Sequence, residues 1–406
     1  MSSHHKRDKR GLNLHYSQHV DIPDFRHETV IIPSTSAPNW GSYFILDLKE
    51  KGCIIHDLAL QFTASAISGY TNSSPYPHYN PAIFWFTRLE IVINNTVIDT
   101  VYPIELFLHE QMFQQDEKRR LVNNAMGPYD SATVRYALSS TSTQYTVHLW
   151  TFLSQTHIPL IHPKDDIQLR VYMDTLANVV NAGSLTGTPS STLSCNLIAK
   201  LSRMPASSIQ MKHQELSRVP HHFKFLESKY GTFSLQAVAA GAQSTIVLTP
   251  FVGSVSYMLF TVRYSSISGT TTVPNTGDGQ YTYQPITNFA ILDNSSTNIV
   301  GGVSLASNYV LEYLHKDWIK SSYSAEVANN GGGVNNNAYA YLYSFGADPI
   351  ESATTGVTYN AHQFRGNEQL QITFAAQAYS NVQIDVWCLC EAALEVTSTY
   401  VKKISL

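Results

Sequence analysis

At 406 residues and 43% hydrophobic side chains, the chain can bury two substantial cores, and it shows no apolar run of about 18 residues and no signal-peptide pattern at Met1. Its 26 Lys and Arg against 30 Asp and Glu leave a net charge of -4, which excludes a global field for nucleic acid, and four cysteines exclude a disulfide framework. The expectation is a soluble protein made in the cytosol. Only 14% of residues are charged, against a usual ~25%, so the surface is either rich in uncharged Ser, Thr, Asn and Tyr or covered by neighbours.

Residues 1–28 read as a basic arm, with Lys6, Arg7, Lys9 and Arg10 clustered around Asp8 and no apolar period before Val30. Such an arm can bind nucleic acid or an anionic membrane, or tie down a neighbouring subunit. Residues 29–204 read as a first β domain. Strands are predicted over 43–48, 54–63, 82–93, 96–102, 132–138, 145–153, 167–173 and 193–201, stretches rich in β-branched and aromatic residues and bounded by Gly, Pro, Asn and Ser. Eight short strands suggest an antiparallel sandwich, of which the jelly roll is the eight-stranded version.

Within that domain, RLEIVINNTVIDTVYPIELFLH (88–109) gives a strand, an Asn94-Asn95 turn that tolerates positive φ, a second strand, and a helix opened by Pro103. The helix is predicted over 103–123, with Asp116 and Glu117 ahead of Lys118, Arg119 and Arg120 as its dipole favours. Residues 205–224, punctuated by Pro205 and Pro220, read as a linker. Residues 225–406 read as a second β domain with a C-terminal tail, its strands over 232–237, 245–249, 255–264, 288–292, 298–303, 338–343, 370–375 and 382–389. Long, weakly charged loops over 68–81, 176–192, 265–284 and 325–337 have the character of display or contact surfaces.

The second half repeats the first. NFAILDNSSTNIVGGVSLASNYVLEYLH (288–315) again gives strand, turn, strand and a helical turn closing on Leu-His, with Ile91 and Ile291 separated by 200 and His109 and His315 by 206. Residues 54–68 match 255–269 at an offset of 201, setting Leu58 against Leu259. Residues 165–171 match 368–374 at 203, setting Ile167 against Leu370, Leu169 against Ile372 and Val171 against Phe374. Three segments in one order at nearly constant spacing argue for a tandem duplication.

Chemistry-bearing motifs are sparse. Gly331-Gly332-Gly333 lacks the Lys-Ser/Thr of a phosphate loop, and the chain contains no HExxH, CxxC, G-x-S-x-G or the His-x-His that a two-domain cupin needs. His221 and His222, near His213, are adjacent on extended chain and point apart, so they do not share a metal. Asp165-Asp166 and Asp116-Glu117 sit at element ends as solvated acids, and Cys388 and Cys390 share one strand face as buried thiols. No catalytic, cofactor-binding or metal-ligating residue is predicted.

Tandem eight-stranded sandwiches, a flanking helix after the hairpin, long polar loops and a small basic arm together resemble the double jelly-roll major capsid proteins of tailless icosahedral double-stranded DNA viruses. The likeness is nearest to the compact proteins of virophages and polinton-like viruses. It rests on 88–109, the repeat at 288–315, and the late strands at Ile167 and Leu370. The resemblance implies an all-β fold of two jelly rolls and a non-enzymatic homotrimer with a pseudo-hexagonal outline. It further implies neighbouring capsomers, a separate vertex (penton) protein, minor capsid proteins, and an arm touching an inner membrane or the genome. The protein would reside in the virion after synthesis in the host cytoplasm. Two other readings are a minor capsid or vertex protein, and a two-domain β-sandwich carbohydrate-binding protein or glycan-cleaving enzyme.

Overall fold

The computed structural model describes residues 26–48, 53–71, 78–113, 116–127, 137–156, 158–160, 166–181, 186–236, 238–264, 286–293, 298–300, 340–345, 362–374, 382–397 and 400–405. The first half supplies eight principal strands: β1 (Arg26–Pro33), β2 (Tyr43–Leu48), β3 (Cys53–Ala64), β4 (Phe86–Ile93), β5 (Thr96–Val101), β6 (Thr143–Leu149), β7 (Ile167–Met173) and β8 (Leu193–Arg203). The second supplies β9 (His221–Leu235), β10 (Gln243–Val247), β11 (Val252–Tyr264), β12 (Ile286–Leu292), β13 (Asn298–Val300), β14 (Ala340–Ser344), β15 (Gln369–Phe374) and β16 (Val382–Val396). Strict alternation drives the sheets together: β7, IQLRVYM, buries every second residue.

The sheets run β1-β8-β3-β6 and β2-β7-β4-β5 in the first half, and β9-β16-β11-β14 and β10-β15-β12-β13 in the second. Adding eight to each strand number converts one half into the other. Both halves are therefore jelly rolls of one topology. Each adds a short strand to the start of its third strand, Pro159–Leu160 on β3 and His362–Arg365 on β11.

Cross-strand register fixes the repeat more closely than the sequence comparison does. Leu46, Leu169 and Ile91 lie side by side in the first half, and Ile246, Leu370 and Ile291 in the second. Leu370 thus corresponds to Leu169, at an offset of 201, and not to Ile167 as the spacing of 203 suggests. A β-bulge inserts His56 into β3, between Ile55 and Asp57, and an equivalent bulge inserts Ser256 into β11, between Val255 and Tyr257. Beyond each bulge Leu58 and Met258 turn into their own cores, whereas Leu259 faces the other sandwich. The counterpart of Leu58 is Met258, at an offset of 200.

Several elements depart from the sequence expectation. Strand β1 takes Arg26, His27 and Glu28, read as arm, into the sheet edge by pairing with β8; its charged start and terminal Pro33 hide it, as is common for edge strands. The expected strand over 82–93 begins only at Phe86, because Pro81 caps a 3-10 turn at Ala82–Phe84. Of the strand expected over 132–138, residues 132–136 lie outside the described residues and Ala137–Ser139 is helical, its turn closed by Ser140 Oγ donating to Ala137 O at 2.7 Å.

The expected strand over 145–153 stops at Leu149. There Ser154 Oγ accepts from Thr151 N at 3.0 Å and starts the helix Phe152–Thr156. The single helix over 103–123 appears as α1 (Pro103–Phe113) and α2 (Asp116–Met126). The stretch read as a linker carries the helix Ala206–Arg218 and the start of β9.

The two first-half loops also pair, Ser68–Thr71 with Thr186–Ser190 and His78–Tyr79 with Val180–Asn181. Gly69 permits this ribbon: it has φ +83°, and a Cβ there would run into Thr188 O. The helical turn expected near His315 and the loops at 265–284 and 325–337 lie outside the described residues. The Asn94-Asn95 turn has the positive φ its sequence asks for, 49° and 65°.

Ile91 and Ile291 are both fully buried at equivalent positions. Replacing either with Asp is expected to cost at least about 3 kcal/mol by burying an unpaired charge, read as a lowered urea midpoint.

Candidate functional site

The sheet β9-β16-β11-β14 is apolar on both sides. Ile384, Val386, Cys388 and Cys390 of β16 fill the second sandwich, while the intervening Trp387 and Leu389, with Tyr257, Leu259 and Leu342, join the core of the first. The first sandwich answers with Leu106 of α1, Phe152 and Leu153 of the helix after β6, and Val101 of β5. Ring pairs Phe152–Phe225 and Tyr102–Tyr230, with centroids 5.2 and 4.8 Å apart, stitch across this junction.

Polar groups are buried inside it. Asp99 of β5 accepts from Phe152 N at 3.0 Å, and Glu105 of α1 accepts from Ser228 Oγ of β9 at 2.5 Å. Lys403, on the C-terminal strand Val401–Ser405 that pairs with β16, donates to Ile98 O at 2.7 Å and to Glu227 Oε1 at 2.5 Å. One lysine thereby ties the last strand to both sandwiches. Burial raises Asp99 to about 6, opposed by the Phe152 amide and Lys403. Burial, with some help from Asp99, raises Glu105 to about 8, the Ser228 hydroxyl working against it.

A second cluster fastens α1 to β3 and β6. His148 Nδ1 meets Glu110 Oε1 at 2.8 Å and Nε2 meets Asp57 Oδ1 at 2.7 Å. Burial favours the neutral ring, but the two carboxylates outweigh it and push His148 up to about 10. Asp57 reaches this position because the bulge at His56 turns both residues outward. His109, stacked on Trp150 at 4.2 Å, is driven by burial down to about 4.

The crevice lined by Asp99, Glu105, His109, Trp150, Leu226 and Ser228 has room for about one water molecule, so it is a packing seam and not a substrate pocket. Of these, His109 stands out in the sequence as a marker of the repeat, and none stands out for its chemistry. Their signal is present in PIELFLHEQMF, where Glu105, His109, Glu110 and Gln111 interrupt an apolar helix. The residues that the sequence does single out for chemistry fall elsewhere. His221 is buried with Nε2 3.6 Å from Glu215 Oε1, and His222 is exposed with Nε2 3.8 Å from Glu395 Oε2. Cys388 and Cys390 line the second core, where burial pushes both thiols up, Cys390 to about 12. Asp165 and Gly331 to Gly333 lie outside the described residues.

The outward faces of the equivalent sheets differ in chemistry. On β2, β7 and β4 the first sandwich presents Tyr43, Arg170, Tyr172, Arg88 and Glu90, with Arg88 Cζ 4.0 Å from the Tyr172 ring centre. On β10, β15 and β12 the second presents Gln243, Thr245, Gln371, Thr373 and Asn288, with no charge among them.

No family model matches this chain, and no curated protein matches it. Solved structures do. The chain is similar to VP54 of PBCV-1, a crystal structure fitted into a cryo-EM reconstruction of the virophage Sputnik, at 15% identity and TM-score 0.67, over 94% of this chain and 97% of that one. It is similar to the Sputnik virophage structure solved by cryo-EM at 10% identity and TM-score 0.63, over 94% and 88%. The Faustovirus major capsid protein matches at 8% identity and TM-score 0.61, over 92% and 91%. The fold is that of the double jelly-roll capsid proteins.

Trp387→Ala is expected to cost about 3–5 kcal/mol in urea unfolding, by emptying the centre of the junction. His148→Ala leaves Glu110 buried without its imidazolium and is expected to cost about 2–3 kcal/mol at neutral pH. The raised His148 contributes stability that is complete below its ordinary 6.5 and is lost as pH rises through about 10. The difference between His148→Ala and the native protein should therefore shrink above that pH.

Proposed function

We propose that this chain is the major capsid protein of an icosahedral virus, assembling as a homotrimer whose three chains set six jelly rolls around one axis. The observation that carries the reading is the repeat itself. Two sandwiches of one strand order, with the same bulge at positions 200 residues apart, span nearly the full length of capsid proteins of the same fold. Duplication gives a threefold object six similar sides, which lets it occupy a sixfold place in a shell.

The differing outer faces support this, because in such a ring the two kinds of sandwich meet different neighbours. Low overall charge fits surfaces covered by other copies. On this reading the chain has no catalytic role, neighbouring capsomers are its main partners, and five-fold vertices are filled by a separate penton protein with minor capsid proteins between. Residues ahead of β1 then serve as an arm toward an inner membrane or the genome, the two jelly rolls begin at Arg26 and at His221, and the helix Ala206–Arg218 connects them.

Size-exclusion chromatography with light scattering should give three chain masses, and negative-stain images should show hexagonal outlines; a monomer would overturn the reading. Deleting residues 1–10 should leave trimers intact and impair shell assembly, scored as the ratio of shells to free trimers on sedimentation.

A further inference from the structure

We propose that the seam between the two sandwiches is a proton-operated latch, in which Glu105 seats against Ser228 as a neutral acid and its ionisation loosens the second sandwich from the first. Glu105 is 6% exposed and Asp99 4%, and both line one crevice that holds about one water molecule, too little to solvate two carboxylates. No Lys or Arg is paired with Glu105 among the described residues. Facing it are Asp99 from β5, Tyr102 where β5 ends, His109 one turn along α1, Tyr257 from β11 and Ser228 from β9.

The nearby cation, Lys403, is committed to Glu227 and Ile98 O and acts on Asp99. Two acids therefore share one small space, and only one of them has a cation near it. Glu105 is the one that stays protonated.

The position of the pair gives the proton its leverage. Asp99 and Glu105 belong to the first sandwich, Ser228 and Leu226 to the second, and the crevice between them adjoins the apolar contact of Leu106 with the second sandwich. An ionised Glu105 must draw in water or turn outward; the Ser228 hydroxyl favours the anion, but burial outweighs it, and either movement opens the packing of α1 on β9. Between a carboxyl's ordinary 4.5 and about 8 the folded chain holds a proton that the unfolded chain has released, so stability falls as pH rises across that window. The latch is shut in acid and slackens in mild alkali. It belongs to one chain and is independent of whether shells form.

The test is thermal melting of the full chain from about pH 6 to about pH 9, with hydrogen exchange of α1 and β9 followed in parallel. The native protein should lose melting temperature, and α1 and β9 should lose protection, as pH rises through about 8. Glu105→Gln should decline less steeply than the native protein, keeping only the fall that His148 contributes on its way to about 10, while Asp99→Asn should retain the native slope. Ser228→Ala, which removes the donor that favours the anion, should move the decline to higher pH. A decline of equal slope in Glu105→Gln overturns the proposal. Should that variant fail to fold, infrared difference spectra of the native protein decide: a protonated-carboxyl stretch at neutral pH that fades in alkali supports the latch, and its absence at neutral pH refutes it.

Discussion

Everything in this molecule depends on one sheet being buried twice. Strand β16 sends alternate side chains to two cores, Cys388 and Val386 to its own sandwich and Trp387 and Leu389 to its neighbour. A strand covered on both faces cannot use the usual apolar-in, polar-out alternation, and so reads as the nearly continuous apolar run VWCLC. Each large side chain removed from water in this way contributes about 1.5–3 kcal/mol, and the junction contains several. The two jelly rolls are consequently held as one body, and their relative orientation is set by packing rather than by the segment that joins them.

Having fixed that orientation, the chain can use its duplication. Strand order, bulge position and cross-strand register agree between the halves, so the repeat is one of backbone geometry. Side chains have diverged where geometry leaves them free. The inner faces stay apolar, while one outer face has become aromatic and charged and the other amide and hydroxyl. A fused pair with like shape and unlike faces is what the proposed trimer would need in order to sit among six neighbours.

Burying the junction had a physical consequence in the polar groups caught within it. Asp99, Glu105, Glu110, His109 and His148 all lie at or beside α1, and each answers to its surroundings differently. His148 has a carboxylate on each nitrogen and is held charged, His109 stacks on Trp150 and is held neutral, and Glu105 leans on the Ser228 hydroxyl. Proton occupancy is thereby written into the contact between the halves, with Lys403 as the fixed charge that closes it from the C-terminal side.

Much of this was legible in the amino-acid sequence, because short-range patterns are enough to specify it. Apolar patterning gave part of each of the eight principal strands of the second half, but not His362–Arg365, Val401–Ser405 or the first eleven residues of β9; Asn94-Asn95 gave the tight turn, Pro103 the helix start, and recurrence of a hairpin the duplication. What lacked a local pattern was lost. Strand β1 has charges where an apolar alternation would be, and the stretch after Leu149 becomes helix through a Ser154 bond to Thr151 that competes with strand extension. The offset of the repeat slipped by one or two residues, because similar apolar residues recur along each strand and residue type alone cannot choose between neighbouring registers. Only the tertiary structure decided which acids and imidazoles meet. Glu105 and Ser228 are 123 residues apart and Ile98 and Lys403 are 305, distances over which no periodicity carries information, and their contact exists because one sheet had to be covered on both sides.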